Sequence, residues 1–461
     1  MLLPLLPLLP PLPLQLTVSS DRRYICNNYN LQAPYYGMLA ANMSWTLPPM
    51  LERVMPSVPL FKSRAKKLLV NVVLPKHGED HPPASAYGSY AGIEMPGHIG
   101  AYDWMWDGSY EGQDAGQRFD APFTAMTMVD FFDFTQNKTF LASSGYPFLR
   151  LTVDFLESYV RNDTETETGK NGSAAGGYSL HIPHGCAQEG CVGQPAFPFA
   201  GESRWKQQDY GDSTADLAFF KLALRSAIRL SKVLGVDAPK RPVWAAILAH
   251  LPSYQTDVVL TNSDDLTATQ DPPSDALGAT SKPPPPQPSV PGTVFAISAN
   301  FTKVRPFTLN GLLGYAIVYT AAMYPATDFD VAENATWREV AVRTLRNLPS
   351  VPYNGAQQVF NAAVRVGYPP DELVGRYQPL LVAGMKQWPS FKVDFGSSNG
   401  MENAGLIDAL NDMLLQSWRG YLEFFPCWPP SKSGSFARGD ARARRLRGVG
   451  GLQCRCGARH G

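Results

Sequence analysis

Apolar residues recur at three- and four-residue spacing along much of the chain, which predicts amphipathic helices near residues 122–134, 147–160, 215–234, 241–251, 335–347, 355–366 and 405–418. Gly- and Pro-rich stretches separate them, as expected of connecting loops. In the last run Leu406, Ile407, Leu410, Met413 and Leu414 fall at helical spacing between Gly405 and Gly420. Leu422 and Phe424 then alternate as in a strand that stops at Pro426. No strand-rich region is evident, so the pattern is that of an all-α chain.

Composition narrows this picture. The chain has 461 residues, enough for two or three average domains or for one large helical one. Its formal net charge is +0 with 17% charged residues, so no overall basic field draws in nucleic acid. Aromatics make up 11%, among them Trp104, Trp106, Trp205, Trp388 and Trp418. Such rings either fill a core or stack on sugar faces.

Low-complexity segments mark the edges of the main unit. Residues 1–20 repeat Leu-Leu-Pro without a basic leader region, and proline every third residue prevents a spanning helix. They are expected to be a poor signal sequence or an artefact of gene prediction. Residues 271–292, with Pro283 to Pro286 consecutive, predict a surface insertion within about residues 252–292. The tail, residues 431–461, is rich in Gly and Arg, including Arg442, Arg444, Arg445 and Arg447, and is expected to be disordered. That leaves residues 21–430 as one main domain. Six Asn-x-Ser/Thr acceptors, at Asn42, Asn137, Asn162, Asn171, Asn300 and Asn334, suggest a secretory or extracellular route. Cys186 and Cys191 are spaced for a local disulfide, while Cys26 and Cys427 either pair or stay buried.

Candidate chemistry sits at the two ends of the main unit. Glu402 and Asn403 stand at the entrance of the last helix, where the positive end of the helix dipole favours an ionised carboxylate and suits a base. An ordinary N-terminal helix charge is the alternative. Near the start, Asn28 and Asn30 precede Gln32 and Tyr36 in the run NNYNLQAPYY, residues 27–36. An amide both donates and accepts, so such a pair can orient a water without taking its proton; an Asn pair capping a helix is the alternative.

Both ends resemble glycoside hydrolase family 95. Residues 401–429, with the helix ending Asp412-Met-Leu-Leu-Gln-Ser417, are similar to the family's last barrel helix and following strand, and residues 28–36 to its Asn-x-Asn-x-Gln-x-x-Tyr-Trp segment. Residues 146–159 and 216–235 resemble further helices of the same domain, so the likeness runs from about residue 24 to 430. The resemblance implies an (α/α)6 toroid that acts on oligosaccharide by inversion, releasing terminal α-L-fucose or the related α-L-galactose, without a cofactor. The β domains that family members carry at either end find no convincing counterpart here.

Inversion needs one protonated carboxyl and one carboxylate. The resemblance assigns Asn28 and Asn30 to orienting the water. It places the acid before the helix near residue 216, where Glu189 and Glu202 are available; neither reproduces the family's Ser-Pro-Glu-Asn loop. Glu189 is preferred because its Gly- and Cys-bounded loop can be rigid, whereas Arg204 neighbours Glu202. For the base, gap-free alignment gives Glu402, and Asp394 in Phe391-Lys-Val-Asp394 is the second choice. Gln32, Tyr36, Trp104, Trp106 and Asn403 are expected to contact sugar. The altered carboxylate motifs leave two alternatives open, a carbohydrate-binding toroid without turnover and a phosphate-dependent glycosidase. His77, His81, His181 and His184 do not form a convincing metal motif.

Overall fold

The computed structural model describes residues 24–27, 29–69, 92–100, 105–106, 117–162, 179–183, 211–259, 290–297, 317–328, 332–348, 356–387, 405–429 and 453–455. They are mostly helical. In chain order the helices are α1 (Leu47–Val54), α2 (Val58–Leu68), α3 (Asp120–Thr135), α4 (Tyr146–Tyr159), α5 (Thr214–Leu234), α6 (Arg241–His250), α7 (Ile317–Thr320), α8 (Ala335–Asn347), α9 (Ala356–Arg365), α10 (Pro370–Gln387) and α11 (Leu406–Leu414).

Helix α5 organises the first half. Its start is fixed by Ser213, whose hydroxyl accepts from the Asp216 amide at 3.0 Å and donates to the Asp216 carboxylate at 2.8 Å. Its end is fixed by Gly235 in the left-handed region, φ 72°. Between these signals most positions from Thr214 to Ser231 are buried, because the helix packs against α3, α4, α6 and α7. Phe219 stacks on Phe119 at 5.4 Å and meets Phe123 at 4.7 Å, all three wholly buried. Burying each such ring is worth roughly 1.5–3 kcal/mol. In the second half α9 packs against α11, α10 and α7, and Phe295 stacks on Trp337 of α8 at 5.4 Å.

The strands are short. Tyr24–Cys26 (β1), His98–Gly100 (β2) and Met105–Trp106 (β3) form an antiparallel sheet, and Arg161–Asn162 (β4) pairs with Leu180–His181 (β5). Thr256–Val259 (β6) and Gly292–Phe295 (β7) pair antiparallel and bracket the Pro-rich segment, whose residues 260–289 lie outside the described ones. Leu415–Gln416 (β8) pairs with Tyr421–Phe424 (β9), which runs parallel to Gln453–Arg455 (β10).

The seven helices expected from periodicity are present, with one correction: the last ends at Leu414, not near 418. Leu415 turns to extended backbone, φ −152° and ψ 124°, because residues 415–416 ladder with 423–424 around the Gly420 turn, φ 79°. Helices α1, α2 and α10 were not among those expected from periodicity; each carries proline in its first turn, where no amide hydrogen is needed. Cys427 is a buried free thiol that donates to the Tyr368 carbonyl at 3.3 Å, so it does not pair with Cys26; burial pushes the thiol up to about 12. Among the described residues no helix is long and apolar enough to cross a membrane.

Candidate functional site

The N-terminal loop is shaped before it meets anything distant. Gln32 and Ala33 both donate their amides to the Tyr29 carbonyl, at 3.1 and 2.9 Å, and Pro34 then starts the single helical turn Ala33–Tyr35. Asn27 anchors the loop on β2's approach, its side chain donating to the Pro96 carbonyl at 3.1 Å and its amide to Gly97 at 2.6 Å. Gln32 adds the tie to the helices: its Nε2 donates to the Asn27 carbonyl at 2.6 Å and to Thr124 Oγ1 of α3 at 3.2 Å. The Asn27 Oδ1 and Gln32 Oε1 atoms are buried and take no donor among the described residues, so each is an acceptor directed inward. Asn30 is also buried, at 9% exposure.

This loop lies against the start of α11. A Cβ added at Gly405 would stand 2.4 Å from the Ala33 carbonyl oxygen and 3.2 Å from the Tyr36 ring, and one at Gly37 would stand 2.0 Å from Ile407. Asn361 of α9 donates to the Gly405 carbonyl at 3.3 Å from the other side. The two segments that carried the sequence motifs are therefore in contact, and glycine at both crossings is what allows it.

Behind the contact is a buried acidic cluster. Asp408 and Asp412, one turn apart on α11, are only 6% and 8% exposed. Tyr324 donates its hydroxyl to Asp408 Oδ2 at 2.7 Å, and Arg365 of α9 pairs with Asp412 and lies over the Tyr324 ring at 5.4 Å. Burial, then the Asp412 charge, pushes the Asp408 carboxyl up to about 8, while burial raises Asp412 against the opposing Arg365. Asp130 of α3 is pushed up to about 7 by burial and by Asp133. Tyr36 completes the cluster: its hydroxyl donates to Gln358 Oε1 at 3.2 Å, and its ring meets Tyr324 edge to face at 5.0 Å.

A second buried polar group, centred on Glu94, joins Arg64 of α2 to Arg118, which in turn meets Tyr159 of α4. Glu94, 1% exposed, accepts from Arg118 Nη1 at 2.8 Å and pairs with Arg64. Arg118 Nε donates to the Tyr159 hydroxyl at 2.9 Å, which donates to the Pro183 carbonyl at 2.5 Å. Asp216 nearby is pushed up to about 7 by burial, against the Ser213 hydrogen bond and Arg118. Asp212 accepts from His181 Nδ1 at 2.5 Å and from the Ile182 amide at 2.8 Å, fixing the end of β5 beside the start of α5. His181 thus faces a carboxylate, and among the described residues no cluster of His, Cys, Asp and Glu could hold a metal ion.

Of the residues expected to act, Tyr36 lies against the start of α11, while Asn30 and Gln32 are buried in the same loop, with Gln32 tied to α3. Trp106 is described only as backbone, in β3 opposite His98. Asn28, Trp104, Glu189, Glu202, Asp394, Glu402 and Asn403 lie outside the described residues. Sequence reasoning missed Asp408, Asp412, Tyr324 and Gln358. A signal for the first two was available: two acids four residues apart share a helix face with Ala409 and Met413. No protein-family model matches the chain, and no curated protein matches it.

Proposed function

We propose that the chain is a glycoside hydrolase similar to family 95, built on an (α/α)6 toroid and releasing terminal α-L-fucose or α-L-galactose from oligosaccharides with inversion. The observation that carries this reading is the contact between the Asn30–Gln32–Tyr36 loop and the first residues of α11 at Gly405 and Ile407. Glu402 and Asn403 immediately precede that contact in the chain. A base at Glu402, or at Asp394, would activate water oriented by Asn28 and Asn30. Glu189, or Glu202 in its place, would protonate the leaving oxygen.

Oligosaccharide substrates passing through a secretory route suit the six glycosylation acceptors. Tyr36, Gln32, Asn403, Trp104 and Trp106 would hold the sugar by stacking and hydrogen bonds.

A panel of α-linked fucosides and galactosides tests the reading, with the first anomer released identified by proton NMR. Release of the inverted anomer, abolished in Glu189→Gln with the fold intact, is the expected result. Initial retention contradicts the mechanism. Binding without release would favour a carbohydrate-binding toroid, and release only with phosphate would favour a phosphorolytic one.

A further inference from the structure

Three of the glycosylation acceptors, Asn42, Asn137 and Asn334, have side chains among the described residues, and all three are exposed. The two most exposed large apolar side chains among the described residues are Trp45, at 71%, and Phe134, at 56%. Each stands three residues from an acceptor, Trp45 after Asn42 and Phe134 before Asn137. A lone exposed ring is ordinary. The pairing is informative, because an aromatic ring is a surface on which the apolar face of a sugar settles.

The chain around Asn137 is built to present both groups. Helix α3 ends at Thr135, and Gln136 reverses the backbone in the left-handed region, φ 54°. The Gln136 amide donates to the Phe132 carbonyl at 2.7 Å and its side chain to the Asp133 carbonyl at 2.9 Å, so Gln136 is held on the helix end. Phe131 turns inward and meets Phe140 edge to face at 4.6 Å, which closes the core here without Phe134. Asn137 then caps the single helical turn Lys138–Phe140, its Oδ1 accepting from the Phe140 amide at 3.0 Å. Its Nδ2 has no acceptor among the described residues. The two ends of the amide thus have separate tasks: the oxygen holds the turn and the nitrogen is left for chemistry.

Asn334 shares only half of this arrangement. Its Oδ1 accepts from the Thr336 and Trp337 amides at 2.9 and 3.3 Å, but the ring beside it, Trp337, is stacked on Phe295 at 5.4 Å.

We propose that Asn137 carries an N-linked glycan whose first sugar lies on the Phe134 ring. The donor is a lipid diphosphate-linked oligosaccharide. A bond forms from Nδ2 to the anomeric carbon of the first sugar, the bond from that carbon to the diphosphate oxygen breaks with its electron pair leaving on the diphosphate, and one Nδ2 proton passes to solvent. Oδ1 takes no part, so the cap on Phe140 survives the modification. The site does not rest on the glycosidase reading.

The test uses the full chain, made in a eukaryotic secretory host behind an added cleavable leader. Two variants accompany it: Thr139→Ala, which removes the acceptor signal but keeps the Asn137 cap, and Phe134→Ala. Both positions are exposed, so neither change disturbs the core. Enzymatic release of glycans in heavy-oxygen water, followed by mass spectrometry, is expected to show the heavy label at residue 137 in the unsubstituted chain and none in Thr139→Ala. Thr139→Ala is expected to lower the thermal midpoint by about 1–2 °C, and by less than half as much when combined with Phe134→Ala. The same variants made in bacteria, without glycans, are expected to show no such coupling, which assigns the shift to the sugar rather than to Thr139. Thr336→Ala, which strips the signal from Asn334, is expected to shift the midpoint equally in the two hosts, because Trp337 is already covered. An unmodified Asn137, or a shift from Thr139→Ala that is the same with and without Phe134, overturns the proposal.

Discussion

The backbone of Gly405 crosses the Ala33 carbonyl so closely that a Cβ on Gly405 would lie 2.4 Å from the Ala33 oxygen. The neighbour is backbone, which cannot rotate away as a side chain could. Gly405→Ala is therefore expected to cost about 1–3 kcal/mol, the usual penalty for overpacking. Urea denaturation measures it, and an unchanged midpoint would show that the loop and α11 do not meet as described.

Glu94 compensates both Arg118 and Arg64 from a position only 1% exposed. Removing it in Glu94→Ala strands a buried guanidinium and is expected to cost about 3–5 kcal/mol. Asp133→Ala breaks the Arg229 pair, whose partners are largely exposed, and is expected to cost about 0–1 kcal/mol. Equal losses in the two variants would contradict the burial of Glu94.

Asp216 has a folded value of about 7, above its ordinary value of 3.8. Between those values the folded chain holds a proton that the unfolded chain has lost. Its contribution is thus fully present below the lower value and is lost as pH rises through the upper one. Asp216→Asn retains an acceptor for Ser213 and is expected to reduce the fall in stability between about pH 4 and 7 by on the order of a few kcal/mol. Denaturant midpoints at several pH values check this, and an unaltered slope would mean that Asp216 is ionised in the fold.

Gln32 ties the N-terminal loop to α3 through Asn27 and Thr124. Gln32→Ala removes both bonds and is expected to destabilise the chain by about 1–3 kcal/mol, because buried partners are left unmet. If the loop forms the proposed site, turnover should fall further than stability alone explains. Thermal denaturation beside kinetics separates the two effects.

Periodicity made the long helices legible because α3, α4, α5, α8 and α9 each bury a continuous apolar face. It was less informative for α11. Ile407 and Leu410 are 45% and 40% exposed, while Asp408 and Asp412 turn inward. Hydropathy cannot anticipate this, because the partners that make the burial tolerable, Arg365 and Tyr324, come from other segments. Asn30, Gln32 and Tyr36 were singled out through the resemblance of residues 28–36 to a family motif. Their relation to Gly405 was visible only once distant parts of the chain had been brought together, and it depends on an absent side chain at Gly405, which no pattern of polarity records.

The crossing of residues 33 and 405 also fixes an order of events during synthesis. The loop leaves the ribosome early, yet the helix it rests on emerges only after nearly all the intervening chain. Contacts so far apart in sequence close late and slowly. Asn27 and Gln32 can meet Pro96, Gly97 and Thr124 well before α11 is made, whereas a product cut short before Gly405 would release a chain that has most of its helices but lacks the surface on which Ala33, Tyr36 and Gly37 settle.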